Sequence, residues 1–157
     1  MASNTSSLPI TGLAQASCRP ANFIGLHFFS PVDKMPLVEI ICGKETSDET
    51  LAKALDYVLQ IRKTPIVVND ARGFFTTRVI GTYVNEGLGM LAEGLNAASI
   101  EMAAATAGFP VGTLAISDEL NLQTMRNIRL ATEAALQAEG KKRMMIGDFL
   151  RGNKFDI

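Results

Sequence analysis

Around Gly73 the chain changes its hydrophobic rhythm, and that change restricts the possible folds more than any other feature of the sequence. Before it, the apolar runs FIGLHFF (23–29), LVEIIC (37–42) and TPIVV (64–68) are short, rich in β-branched and aromatic residues, and bounded by Pro, Gly, Asn or Asp. That is the grammar of strands. Between the second and third runs, Leu51, Ala54, Leu55, Val58 and Ile61 recur at helical spacing. Ser47 stands where an N-cap belongs, and Asp48 and Glu49 complement the positive end of the helix. A strand, a helix of about four turns and a further strand do not make a hairpin meander, because a crossover of that length suits strands running in the same direction. The segment before Gly73 therefore predicts a parallel or mixed sheet carrying an amphipathic crossover helix.

After Gly73 the pattern is helix upon helix. Phe75, Val79, Ile80, Tyr83, Val84, Leu88 and Leu91 keep a helical period from Phe74 to Glu93, with Gly94 as the stop. Gly81, Gly87 and Gly89 inside that helix each cost about 1 kcal/mol relative to Ala, which predicts close packing against another helix as compensation. Ser99 is expected to cap an alanine-rich helix running to Ala107, ended by Gly108 and Pro110. A further helical pattern spans 113–138 on Leu114, Ile116, Leu120, Leu122, Met125, Ile128 and Leu130, with a break near Asp118 to Asn121. From Lys141 onward no period stands out.

Charge narrows the function classes. Fifteen Lys and Arg against sixteen Asp and Glu leave a net charge of -1. Such a chain has no basic excess with which to neutralise nucleic-acid phosphates or dock on anionic lipid. No run reaches the roughly 18 apolar residues of a spanning helix, and MASNTSSLPI lacks a basic stretch followed by an apolar one. Cys18, Cys42 and the single His27 lack ligand spacing, so neither a disulfide framework nor a zinc site is expected. A reduced intracellular compartment is expected.

Two residues stand out chemically. His27 sits near the end of an apolar strand, just before the Pro31 turn, and strand ends of open α/β sheets border ligand crevices. Glu39 lies among apolar neighbours in LVEII, where a buried carboxylate needs a partner. If the two strands pair, Glu39 and His27 form a dyad for proton transfer; otherwise His27 is satisfied by backbone and Glu39 faces solvent. The opening ASNTSS reads as a flexible leader or capping turn, or as a set of uncharged donors suited to a nicotinamide amide or a substrate oxygen. No G-x-G-x-x-G turn or Walker motif occurs, and GKETSDET has the wrong spacing for a P-loop.

The stretches ASNTSSLPITGLA, RPANFIGLHFFSPVDKMPLVEII, VVNDARGFFTTRVIGTYVNEGLGML and GFPVGTLAISDELNL, in that order, resemble the 3-hydroxyacyl-CoA dehydrogenase family. The likeness is strongest to the dehydrogenase portion of multifunctional fatty-acid oxidation enzymes. It covers nearly all of residues 2–125, with HFFSP and the downstream LVEII as its most specific pair. It implies a mixed α/β fold: the last strands and crossover helix of a Rossmann-type sheet (1–72), then an all-α C-terminal dimerisation domain (73–157). It implies NAD as cofactor, an acyl-CoA as substrate and a homodimer formed through the helices. Carried over by position, His27 is the catalytic base, Glu39 its orienting acid and Ser6 the serine that bonds substrate near the nicotinamide. Asn4 lies along the cofactor, and Ser30 stands where many members place a substrate-holding Asn. Thr77 occupies the Asn position of the family's G-F-x-x-N-R pattern and has a shorter reach.

Family members begin with a glycine-rich half that does not occur in this sequence. The chain is therefore expected to be a piece of a longer enzyme and inactive by itself. Two other readings remain: a catalytically silent helical dimerisation or scaffold piece, and a related β-hydroxyacid dehydrogenase. The latter relies on a lysine in its helical domain, whereas Lys53 falls in the crossover helix and no lysine occurs between Lys63 and Lys141.

Overall fold

A computed structural model of the chain describes residues 1–119 apart from Ser7, together with 126, 129, 130, 133, 134, 136–138 and 140. It falls into two compact units, Met1–Arg78 and Val79–Ile157.

The first unit is built on a four-stranded sheet in the order β1 (Ala2–Ser3), β2 (Ile24–Phe28), β3 (Leu37–Cys42), β4 (Thr64–Asn69). β1 runs parallel to β2, β2 antiparallel to β3, and β3 parallel to β4. The sheet is thus mixed, and helix α2 (Asp48–Gln60) makes the expected crossover between β3 and β4. Its N-terminus is capped by Ser47, whose side chain accepts from the Thr50 amide at 3.3 Å.

Alternation along β3 divides the core. Val38 and Ile40 pack with Ile24, Ala54 and Val58, so one face of the sheet lies under α2. Ile41 packs on the other face with Ile10, Ala14, Phe23 and Phe74, under the short helix α1 (Ile10–Ala14). Cross-strand partners share a face. Gly25 opposes Ile41 and His27 opposes Glu39, so these four positions lie together on the α1 side. A Cβ at Gly25 would come within 2.8 Å of the Ile10 side chain, so that helix requires glycine beneath it.

Several boundaries differ from the sequence expectation. The leader contributes strand β1, which is two residues long and carries no period to read. The first long strand spans 24–28 rather than 23–29, because the Phe23 amide turns back to Pro20 O, closing a 3₁₀ turn over Pro20–Asn22. Helix α3 covers Thr76–Ala92 and not Phe74–Glu93, since Gly73 and Phe74 take φ of +71° and +45°. For Phe74 a left-handed backbone costs about 1–2 kcal/mol. Asn96, and not Ser99, caps helix α4 (Ala97–Thr106): its side chain accepts from Ala98 N, placing Ser99 inside the first turn.

In the second unit, α3 and α4 end at Gly94 and Gly108, both with φ of +92°. Helix α5 spans Thr113–Glu119. Leu120, Leu122, Met125 and Ile128 of the expected pattern, and the segment 141–157, lie outside the described residues. Close packing compensates at Gly87 and not at Gly81. A Cβ at Gly87 would run into the side chain of Thr113 on α5, whereas at Gly81 the nearest such atom is Asn85 Nδ2 at 4.0 Å. Helix propensity alone favours Ala at both positions. Gly81→Ala is therefore expected to stabilise the chain by up to about 1 kcal/mol, and Gly87→Ala to destabilise it by about 1–3 kcal/mol through overpacking. Urea midpoints of the two variants, moving in opposite directions from the wild type, check this.

Candidate active site

The antiparallel pairing of β2 and β3 brings the two chemically distinctive residues together. His27 Nδ1 lies 2.7 Å from Glu39 Oε2, with Glu39 fully buried and His27 only 8% exposed. The bland alternative, a glutamate facing solvent, is excluded by that burial. Aromatic rings flank the imidazole: Phe29 at 4.5 Å and Phe74 at 6.2 Å between centroids.

The second carboxylate oxygen is equally committed. Glu39 Oε1 accepts the amides of Phe75 at 3.0 Å and Thr76 at 2.8 Å, the entry to α3. That helix has no acidic residue in its own first turn, so a carboxylate from β3 complements its positive end. Burial pushes the Glu39 pKa up, but the Thr76 amide, the His27 ring, the Thr76 hydroxyl and the Phe75 amide together outweigh it and hold the carboxyl below its ordinary value. The Thr76 hydroxyl acts without reaching full hydrogen-bond geometry.

The sign of the resulting pH dependence follows. Folded Glu39 binds a proton less readily than it does in the unfolded chain, so its contribution is present above the ordinary carboxylate range and is lost as pH falls through the folded pKa. Glu39→Gln should flatten the acid limb of the melting-temperature profile between about pH 5 and the acid limit. An unchanged acid limb in that variant would contradict the assignment.

An ionised carboxylate only accepts hydrogen bonds, so Nδ1 of His27 is the donor. In the neutral ring Nε2 then carries the lone pair. The arrangement is a base whose tautomer is set from behind by a buried anion, and whose cationic form that anion stabilises.

The remaining sequence candidates lie after β1, after β2 and at the start of α3. Asn4 continues from β1 and its Oδ1 accepts the Phe28 amide at 2.9 Å, which directs its NH₂ group away as a donor. Ser6 is exposed in the bend after β1, and Ser30 is exposed in the turn after β2. Because β1 and β2 are parallel, both turns leave the same end of the sheet. Thr77 is half-buried in the first turn of α3.

Hydrogen bonds hold Thr5 and the start of α1 in place. Thr5 Oγ1 accepts the Leu8 amide at 2.8 Å, and Asp70 accepts the amides of Ile10 at 2.8 Å and Thr11 at 2.7 Å, capping α1. Sequence reasoning missed Asp70, although an acid directly after a strand was a visible cue. It also missed the Phe75 and Thr76 amides, which have no side-chain signature.

Comparison with known proteins gives the family of the chain. Residues 1–71 match the model of the 3-hydroxyacyl-CoA dehydrogenase NAD binding domain, and residues 73–152 match that of the 3-hydroxyacyl-CoA dehydrogenase C-terminal domain. A fatty acid oxidation complex subunit alpha from a Shewanella species is 42% identical over 98% of this chain, which spans 22% of that relative's length. Among solved structures, (S)-3-hydroxybutyryl-CoA dehydrogenase from Ralstonia eutropha is 40% identical with a TM-score of 0.80, over 85% of this chain and 49% of that one. The 3-hydroxybutyryl-CoA dehydrogenase of Escherichia coli is 30% identical with a TM-score of 0.77, over 90% of this chain and 30% of that one. On two adjoining domain matches and this level of identity, the chain belongs to the 3-hydroxyacyl-CoA dehydrogenase family.

Proposed function

We propose that the chain carries the acid–base half of an L-3-hydroxyacyl-CoA dehydrogenase site, which oxidises a 3-hydroxyacyl-CoA reversibly to the 3-ketoacyl-CoA with NAD. The observation that carries this reading is the buried His27–Glu39 pair, with Nδ1 bound at 2.7 Å and Nε2 left as the base. His27 Nε2 takes the proton of the C3 hydroxyl, and Glu39 stabilises the imidazolium that forms. In the reverse direction the imidazolium returns that proton to the C3 oxygen. NAD, when bound, supplies the acceptor for the C3 hydride. The donors present suit its nicotinamide end: the Asn4 NH₂ group, oriented by the bond to Phe28, and the exposed Ser6 hydroxyl. Ser6, Ser30 and Thr77 are assigned to holding the substrate.

The relatives' names support an acyl-CoA substrate, and their bacterial origin supports a cytoplasmic setting. Among the described residues no helix is long and apolar enough to cross a membrane. The β-hydroxyacid dehydrogenase alternative gains nothing from Lys53, which is exposed on α2 and paired with Glu49.

The test is a chimera in which residues 1–157 replace the matching half of the Ralstonia eutropha enzyme. It is expected to oxidise NADH with acetoacetyl-CoA. A folded, NADH-binding chimera without turnover would overturn the proposal in favour of a silent scaffold piece.

A homodimer through the helices is part of this reading. Val79 and Leu91 are 55% and 43% exposed on α3. Tyr83, on the same helix, is instead engaged within the chain: it stacks on Phe109 at 4.2 Å and donates to Val111 O. Sedimentation equilibrium of the chain is expected to give twice the monomer mass; a monomer at all soluble concentrations would exclude the dimer.

A further inference from the structure

The entry to α3 is the least ordinary backbone near the site. Gly73 and Phe74 are consecutive left-handed residues, and the next two amides both end on Glu39 Oε1. Phe74 is buried, its ring close to the imidazole, so this turn is packed against the pair it serves.

The two carboxylate oxygens have separate tasks. Oε1 is fixed by two N–H groups from one turn, and Oε2 is consequently held toward Nδ1. A carboxylate without the first anchor could rotate and offer His27 either oxygen or neither. We propose that Gly73 is a positioning residue for the His27–Glu39 pair: its left-handed backbone, continued by Phe74, turns the Phe75 and Thr76 amides onto Glu39 and thereby sets the tautomer of His27.

The inference rests on the dehydrogenase reading only in taking that pair as the acid–base machinery. Glycine is needed for its conformation and not for space. A Cβ at position 73 would meet Arg78 Cγ at 3.4 Å and Thr77 side-chain carbons at 3.6 Å, ordinary contacts. A β-branched residue is largely barred from this region of backbone space, while Asn is enriched there. Gly73→Val and Gly73→Asn therefore separate backbone conformation from packing.

His27 is the single histidine, so nitrogen NMR of the histidine-labelled 157-residue chain reports on one ring. The wild type and Gly73→Asn are expected to show a protonated Nδ1 and a lone-pair Nε2. Gly73→Val is expected to move both resonances toward the average of the two tautomers. A folded Gly73→Val with wild-type ring shifts would overturn the proposal, as would a folded Gly73→Asn that behaves like Gly73→Val.

If the valine variant does not fold, the wild type tests the anchor without which Gly73 has nothing to position. His27 is the titratable group in contact with Glu39 among the described residues, and α3 presents its backbone to the same carboxylate. The Phe75 and Thr76 amide resonances are expected to shift together with the Glu39 carboxyl on acid titration; amides that stay fixed while it protonates would refute the anchor. Neither readout involves turnover, so an inactive chimera would count against the dehydrogenase reading and leave this one to its own measurements.

Discussion

Replacing His27 by Gln in the chimera with the Ralstonia eutropha enzyme lowers its turnover of acetoacetyl-CoA about 100- to 10,000-fold, the usual contribution of a positioned proton-transfer group. KM for the acyl-CoA stays nearly constant, because the ring acts on the reacting oxygen and not on the body of the substrate. Glutamine keeps approximate volume and can still bond to Glu39, so the loss isolates the missing titratable nitrogen. Glu39→Gln reduces turnover by the same route, since it removes the charge that stabilises the imidazolium and leaves the carboxamide able to accept from or donate to Nδ1. Both changes act through one histidine, so their effects overlap. The double variant loses little more than His27→Gln alone. Steady-state kinetics on the four proteins check this. A double variant that loses the full product of the two single losses would show that the residues do not work as a pair.

Glu39→Ala is expected to unfold at a much lower urea concentration than the wild type. The side chain is fully buried and accepts three hydrogen bonds, from His27, Phe75 and Thr76. Truncation leaves three donors facing a cavity, and each unsatisfied buried group costs about 1–3 kcal/mol. Some of that returns if water enters. A net loss on the order of 3 kcal/mol is expected, a large share of the roughly 5–15 kcal/mol that holds a typical domain together. Urea denaturation of the 157-residue chain measures it. Glu39→Gln, which keeps an acceptor at Oε1 for the two amides, should lose clearly less. Equal losses from Ala and Gln would mean that charge, and not acceptor geometry, holds the turn.

The legible parts of the structure were those with local signatures. The α2 period, its Ser47 cap and the β-branched runs of β3 and β4 all act over a few residues, and their expected ranges match closely. His27 and Glu39 were legible because each is out of place chemically in an apolar run. Their pairing needed the register of β2 against β3, which spacing permits but does not dictate. β1 was hidden because two residues carry no alternation and its partner lies over twenty residues away. The start of α3 was misplaced because Phe74 fits the apolar period of the helix while its backbone does not. The cap of α4 was misassigned for a different reason: both Asn96 and Ser99 are good cap residues, and which one ends outside the helix depends on the turn after Gly94.

Three helices start on acids borrowed from elsewhere in the chain: α1 on Asp70, α3 on Glu39, and α5 on Glu101, whose Oε1 accepts the Leu114 amide at 2.8 Å. α2 and α4 instead begin on their own Ser47 and Asn96. This divides the helices by the sequence distance their caps span. The self-capped helices can form early from local information, whereas α1 and α3 gain their caps only when distant strands have arrived in place. A slip of one residue between β2 and β3 would carry Glu39 to the opposite face of the sheet. It would uncap α3, strand His27 and bury a carboxylate among the aliphatic residues under α2 in a single step. The residues proposed to move protons thus also tie the capping of α3 to the register of β2 against β3.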